Sequence, residues 1–454
     1  MTKEEINALI KTHVDGQGDQ VDIGAALPKI LNGIIDLIPE GGGGSGVAAS
    51  DVNLRDYDGT IVASYTAEDF AALTELPAPP AHEGLTFQGW NISLADAQAY
   101  CAQYGMMDIG AIYITSDGKT RIYITLPEGR TTPTLGLGIN GSVDVDWGDG
   151  SAHDTMTGSD LTTLVNQQHT YSQPGDYIIT IEVVENSEIT FLASNYSSGL
   201  LWDGAQNYIQ AYKSAVKSVL IGQGVTSIGE NAFRDCYSLK SISIPQGVTS
   251  IGNSAFYNCY SLTSISIPQG VTYIKDYIFN TCISLTSISI PQGVENINGN
   301  AFQNCYSLKS ISIPQGVRYI GGSAFDHCYS LKSISIPQGV TSIDDAAFNS
   351  CYSLTSVSIP QGVTSIGSNV FASCTSLTSI SIPQSVRTIN GSAFYACNSM
   401  AIFRIYATTT PTISSSTFSS IPADCIIYVP ADSVEAYKSA SNWSAQSDKI
   451  QPMP

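Results

Sequence analysis

The sequence predicts a mainly β, multidomain chain dominated by a solenoid. Three observations predict it. Cysteines at 236, 259, 282, 305, 328, 351, 374 and 397 recur every 23 residues. Phenylalanines from Phe233 to Phe394 and isoleucines from Ile228 to Ile389 keep the same step. Before this array, runs such as TRIYITL, SVDVDW and YIITIEVV alternate apolar and polar residues, as half-buried strands do. A fixed period of this length marks stacked units, because one unit cannot bury its own apolar face and a stack can.

Composition narrows the function classes. Of 454 residues, 43% are hydrophobic and 13% charged, enough apolar material for a packed core. No apolar run reaches the ~20 residues of a membrane helix. The opening MTKEEINALIKTHVDGQG lacks a charged-then-apolar secretory pattern, so the expectation is no recognisable signal peptide, transmembrane segment or wall anchor. The net charge is −20, and 28 of the 39 acidic residues lie in residues 1–215 against eight basic ones. Residues 216–405 are nearly neutral, with seven acids and nine bases. An acidic surface repels phosphate backbones, which argues against a nucleic-acid partner.

The elements follow in order. Residues 1–40 read as two helical pieces. The second, ALPKILNGIIDLI, is too short to span a membrane and too apolar to stand alone. This segment is expected to attach to a partner or to oligomerise with its own copies. Residues 41–49, with GGGGSG, form a flexible linker. The stretch GQGDQVDIGAALPKILNGIIDLI resembles N-termini of structural proteins of phages and prophages from gut bacteria. In residues 50–117, Pro77, Pro80, Gly84, Phe87, Gly89 and Trp90 carry a pattern that resembles the Listeria–Bacteroides repeat. That resemblance implies a small β-grasp-like module, here followed by a helix at 92–105. In residues 118–200, WGDGS and HTYSQPGDYIITIEV resemble the polycystic-kidney-disease (PKD) type β-sandwich. Asp144, Asp146, Asp149 and Asp154 suggest a calcium site, but their spacing is not that of an EF-hand, and turn and cap chemistry accounts for most of it. Residues 201–224 are a junction and N-terminal cap, 225–408 the solenoid and 409–454 a C-terminal cap, with a strand at 425–429 leading by Pro430 into a helix.

Within the solenoid one unit reads VTSIGNSAFYNCYSLTSISIPQG. SLTSISIP is a short half-buried strand, Pro268 ends it and PQG turns the chain. Val271 and Ile274 point inward from a second extended piece, and a tight turn carries Phe279 and Cys282. Eight such rungs at ~4.8 Å make a rod on the order of 40 Å long. Ile251, Ala255, Phe256, Cys259, Leu262, Ile265, Ile267, Pro268 and Val271 match a pattern that closely resembles the BspA-like leucine-rich repeat. The resemblance implies a curved solenoid found mostly on bacterial surfaces, in adhesion to proteins or host cells, and no enzyme.

The cysteine column Cys236, Cys259, Cys282, Cys305, Cys328, Cys351, Cys374 and Cys397 is what a buried structural ladder of thiols looks like. Neighbouring rungs also fall within disulfide range, which keeps bridges as the alternative. A second column, Tyr237, Tyr260, Tyr306, Tyr329 and Tyr352, follows the cysteines. It is either a ligand-contacting row, since Tyr offers rigid amphipathic area, or a semi-buried aromatic seal on one edge of the rod. Five histidines in all, none at i, i+4 spacing, give no metal or protease motif. No nucleophile elbow or phosphate loop appears, and no cofactor or metal is expected.

The expected function is non-enzymatic binding of protein or glycan at a bacterial surface, through many weak contacts added by repetition. The alternatives are a tail-associated receptor-binding protein of a phage or prophage virion and an enzyme's accessory module.

Overall fold

Alternation of apolar and polar residues sets the first sheet. The computed structural model describes residues 52–56, 60–104, 107–193, 200–202 and 212–454, and the helical and linker segments expected at 1–49 lie outside them. Strands β1 (Val52–Arg55), β2 (Ile61–Tyr65), β3 (Leu85–Trp90) and β4 (Met107–Thr115) form a sheet in the order β2-β1-β4-β3. Helices α1 (Ala67–Ala71) and α2 (Leu94–Tyr104) contribute Phe70, Ala97 and Cys101 to its core, with Val52, Leu54, Ile109, Ala111 and Tyr113. Thr66 caps α1, its hydroxyl accepting from the Asp69 amide at 3.1 Å. Eight of the nine β4 residues are buried, so both faces of this strand are covered.

Strands β5 (Thr120–Leu126), β6 (Thr134–Asp146), β7 (Asp154–Gln168), β8 (Gly175–Val183) and β9 (Glu188–Phe191) follow. A short β10 (Leu201–Trp202) pairs with β6. The chain then enters β11 (Val216–Leu220), β12 (Val225–Ile228), β13 (Ser241–Ser243) and β14 (Ser250–Ile251). These join one hydrogen-bonded path, β13-β11-β5-β8-β6-β9-β12-β14. Both ends of that path are solenoid strands. β11 lies antiparallel to β5 on one side and parallel to β13 on the other. β12 lies parallel to both β9 and β14. The sheet of residues 120–191 therefore supplies a hydrogen-bonding partner to each of the two strand ladders at their N-terminal end, where bare edges would otherwise be left. One apolar core runs without a break from Ile122 to Ile450.

The solenoid has about ten turns, more than the eight perfect repeats. One ladder stacks dipeptide strands from Tyr273–Ile274 to Thr412–Ile413; another stacks Ser333–Ser335, Ser356–Ser358, Ser379–Ile382, Ile402–Ile405, Ile426–Val429 and Ile450–Pro452. The turn between them is not helical. Its amides form a third set of inter-turn bonds: Ser254, Phe256 and Asn258 donate to the carbonyls of Asp276, Ile278 and Asn280 at 3.0, 2.9 and 2.9 Å. Two residues per turn, such as Ser254 and Asn258, take the left-handed conformation that aims these amides along the axis. Inside, the phenylalanine rings stack from Phe233 to Phe394 at 5.3–5.7 Å between centroids. Phe191 of β9 starts this column, and Phe418 followed by Trp443 ends it. Helix α3 (Val434–Ser439) closes the last turn, with the Tyr437 hydroxyl donating to the Ala407 carbonyl at 2.7 Å and the Trp443 indole N–H to that of Pro411 at 2.8 Å.

Candidate binding surface

The 23-residue period puts every repeat position into a column along the rod, so a surface row is a direct projection of the sequence. All ten cysteines are buried, and the eight of the column are free thiols. From Cys259 to Cys397 each Sγ donates to the carbonyl of the phenylalanine one turn earlier, at 3.2 or 3.3 Å. Burial pushes the Cys236 and Cys397 thiols up to about 12, and the others in the column also rise. These thiols stay protonated, which removes the thiolate that nucleophilic or metal chemistry needs.

The tyrosines sit at the surface one residue on. Tyr237 stacks on Tyr260 at 4.7 Å, and Tyr306, Tyr329 and Tyr352 stack at 4.7 and 4.9 Å. Ile283 occupies the place between the two groups. The ring faces are spent on each other. Tyr237, Tyr260, Tyr306 and Tyr329 are half-buried, and Tyr352 is exposed. The hydroxyls of Tyr306, Tyr329 and Tyr352 donate to no other described residue, and none of them is among the fully sealed polar atoms. Burial pushes the Tyr306 phenol up to about 12, so it remains a donor at neutral pH. Exposed Lys309 and Lys332 lie three residues after Tyr306 and Tyr329. At the N-terminal end, the Lys213 ammonium lies 5.6 Å from the Tyr237 ring centre and pairs with Asp235 at 2.7 Å. The sequence pattern gave no sign of Lys213, since it precedes the perfect repeats.

A second row is the outward side of the strand Ser-x-Ser in each turn. Over the first turns it is covered by β4. The Ser243 hydroxyl donates to the Tyr113 carbonyl at 2.9 Å, and the Ser289 hydroxyl to that of Asp108 at 2.8 Å. Between them β4 passes so close that a methyl group on Gly110 would lie 1.9 Å from the Ser266 oxygen. Gln269 and Gln246 make further bonds to Trp90 and Gln88 of β3. Nothing in the sequence announces this contact: serine is an ordinary outer-face residue of a strand.

The aspartates of residues 144–154 each have a protein partner. Asp154 accepts from the Trp147 indole at 2.8 Å, Asp144 pairs with His153 at 2.6 Å, and Asp146 accepts from the Gly148 amide. Burial alone would raise the Asp149 carboxyl, but bonds from Ser151 and His169 outweigh it and hold it at about 2. His169 stacks on Trp147 at 4.8 Å, and the Tyr171 hydroxyl donates to the Trp147 carbonyl. Among the described residues no three His, Cys, Asp or Glu side chains converge as a metal ion requires. Among them, too, no helix is long and apolar enough to cross a membrane.

Comparison with known proteins agrees with the rung geometry. The model of the BspA type leucine-rich repeat region matches residues 206–332 and 295–424. No curated protein matches the chain. Among solved structures, a leucine-rich repeat protein from Bacteroides ovatus is 24% identical, covering 49% of this chain and 68% of its own, with a TM-score of 0.38. A leucine-rich repeat protein of T. pallidum is 27% identical over 43% of this chain and 86% of its own, with a TM-score of 0.33. A leucine-rich cell surface protein from Faecalibacterium prausnitzii is 24% identical over 59% of this chain and 95% of its own, with a TM-score of 0.29. Repeat proteins of this family typically bind rather than catalyse, which suggests a binding or adhesion role. With its phenylalanine and thiol columns inside and its tyrosine and serine rows outside, the array of this chain is a BspA-type leucine-rich repeat region.

Proposed function

We propose that the chain is a non-enzymatic adhesion protein of a bacterial surface, and that the row Tyr306, Tyr329, Tyr352, with Tyr237 and Tyr260, contacts protein or glycan. One observation carries this reading. Three stacked phenols, one per turn, hold hydroxyls that donate to no other described residue, with exposed Lys309 and Lys332 three residues further along the chain. Such a row offers repeated donors at the rung spacing. Each contact is weak, and the affinity comes from the number engaged together. The array's own scarcity of acids leaves it open to neutral or mildly acidic partners.

The test is binding of the full chain to glycan and host-protein arrays, followed by the triple variant Tyr306→Phe, Tyr329→Phe, Tyr352→Phe. These changes keep the stacked rings and remove only the hydroxyls. Binding at least tenfold weaker with an unaltered melting temperature supports the row. Unaltered binding to every captured ligand sinks it.

A further inference from the structure

The geometry points to the open half of the serine face as a docking site for an extended polypeptide strand from a partner protein, carrying Gly where it crosses a rung closely. This face is separate from the tyrosine row. The first turns show how it is occupied. β4 lies across Ser243, Ser266 and Ser289; its backbone carbonyls accept from two of the hydroxyls, and Gly110 permits the close crossing at the third. Main-chain carbonyls make the bonds at two rungs and a glycine permits the close crossing at the third, so the face selects an extended backbone with glycine at the close crossing rather than a particular sequence.

The same face continues without interruption past the end of β4. Ser312 bridges to Ser335, Ser335 pairs with Ser358, and Ser358 with Ser381. Ser243 and Ser289 give their hydroxyls to β4, whereas those of Ser335, Ser358 and Ser381 donate to no described residue. Ser356 and Ser358 are exposed where Ser264 and Ser266 are buried. The open rungs thus repeat the chemistry of an established interface with its acceptor strand missing. Continuity with that interface identifies the occupant as polypeptide.

The experiment titrates the full chain against a labelled peptide holding the β4 sequence between lysines, KKMDIGAIYITKK, read by fluorescence anisotropy. Saturable binding is expected. It should weaken at least tenfold when the peptide glycine is replaced by valine, and likewise when the chain carries Ser335→Arg and Ser358→Arg. Circular dichroism melts of that chain variant establish that it is folded. Absence of saturable binding overturns the proposal. Binding that ignores both the valine peptide and the arginine variant overturns it too, as does retention of glycans alone by this face.

Discussion

Two stretches of the rod share almost one sequence and differ in surroundings. SISIP at 264–268 and 287–291 lies under β4; SVSIP at 356–360 and SISIP at 379–383 does not. Ser264 and Ser287 are 7% and 2% exposed, while Ser356 and Ser358 face solvent. The interiors are indistinguishable: Phe256 stacks on Phe279 at 5.4 Å, and Phe348 on Phe371 at 5.6 Å. Repetition therefore equalises the core of every turn and leaves the outside free to differ. What β4 adds is local, and it comes at a cost. The Ser264 and Ser287 hydroxyls are sealed with no hydrogen-bond partner among the described residues.

If the interiors are equivalent, Phe256→Ala and Phe348→Ala should each destabilise by about 3–5 kcal/mol, and by the same amount. Denaturant unfolding of the two variants checks this. A difference well above 1 kcal/mol would show that the covering module stiffens the core beneath it. The outer face should behave oppositely. Ser266→Arg forces a long side chain into the Gly110 crossing and should cost about 1–3 kcal/mol, with faster amide exchange in residues 107–115. Ser358→Arg, on the open side, should stay within about 0.5 kcal/mol of the parent. Equal effects at 266 and 358 would mean that β4 does not rest on the rod in solution. The smallest effect expected is a gain. Ser287→Ala removes a buried hydroxyl that has no partner and should stabilise by about 1 kcal/mol, while Ser356→Ala should be neutral. Thermal melts of the pair decide it.

Much of the solenoid was legible because repetition converts position into structure. Cys259, Phe256, Ile265 and Ile267 announce their columns by their spacing, and each is buried where the period puts it. The strand and the PQG turn follow from Pro268 and alternation. The turn around Phe279 was less legible, since the left-handed residues of these turns are Ser, Thr, Tyr or Ala at least as often as the Asn, Asp and His that favour such backbone. Their conformation is imposed by amides that must reach the next turn, a demand that local sequence does not express. Of the candidate surface, the tyrosine row was visible as a column with its break at Ile283, but the mutual stacking of the rings needed coordinates.

By itself the sequence determined the rung: which residues point inward, at what period they recur, and that the array needs caps. Its single period holds for every contact between a residue and its counterpart 23 positions away, because those contacts are copies of one another. The tertiary structure alone decided how the copies end and which of them are covered. That β5 and β9 extend both ladders, and that Gly110 lies on Ser266, joins residues from 36 to 156 positions apart with no shared pattern. Such contacts depend on shape fit between two finished surfaces. A serine on an outer strand face meets solvent or a neighbouring backbone equally well until the rest of the chain is in place.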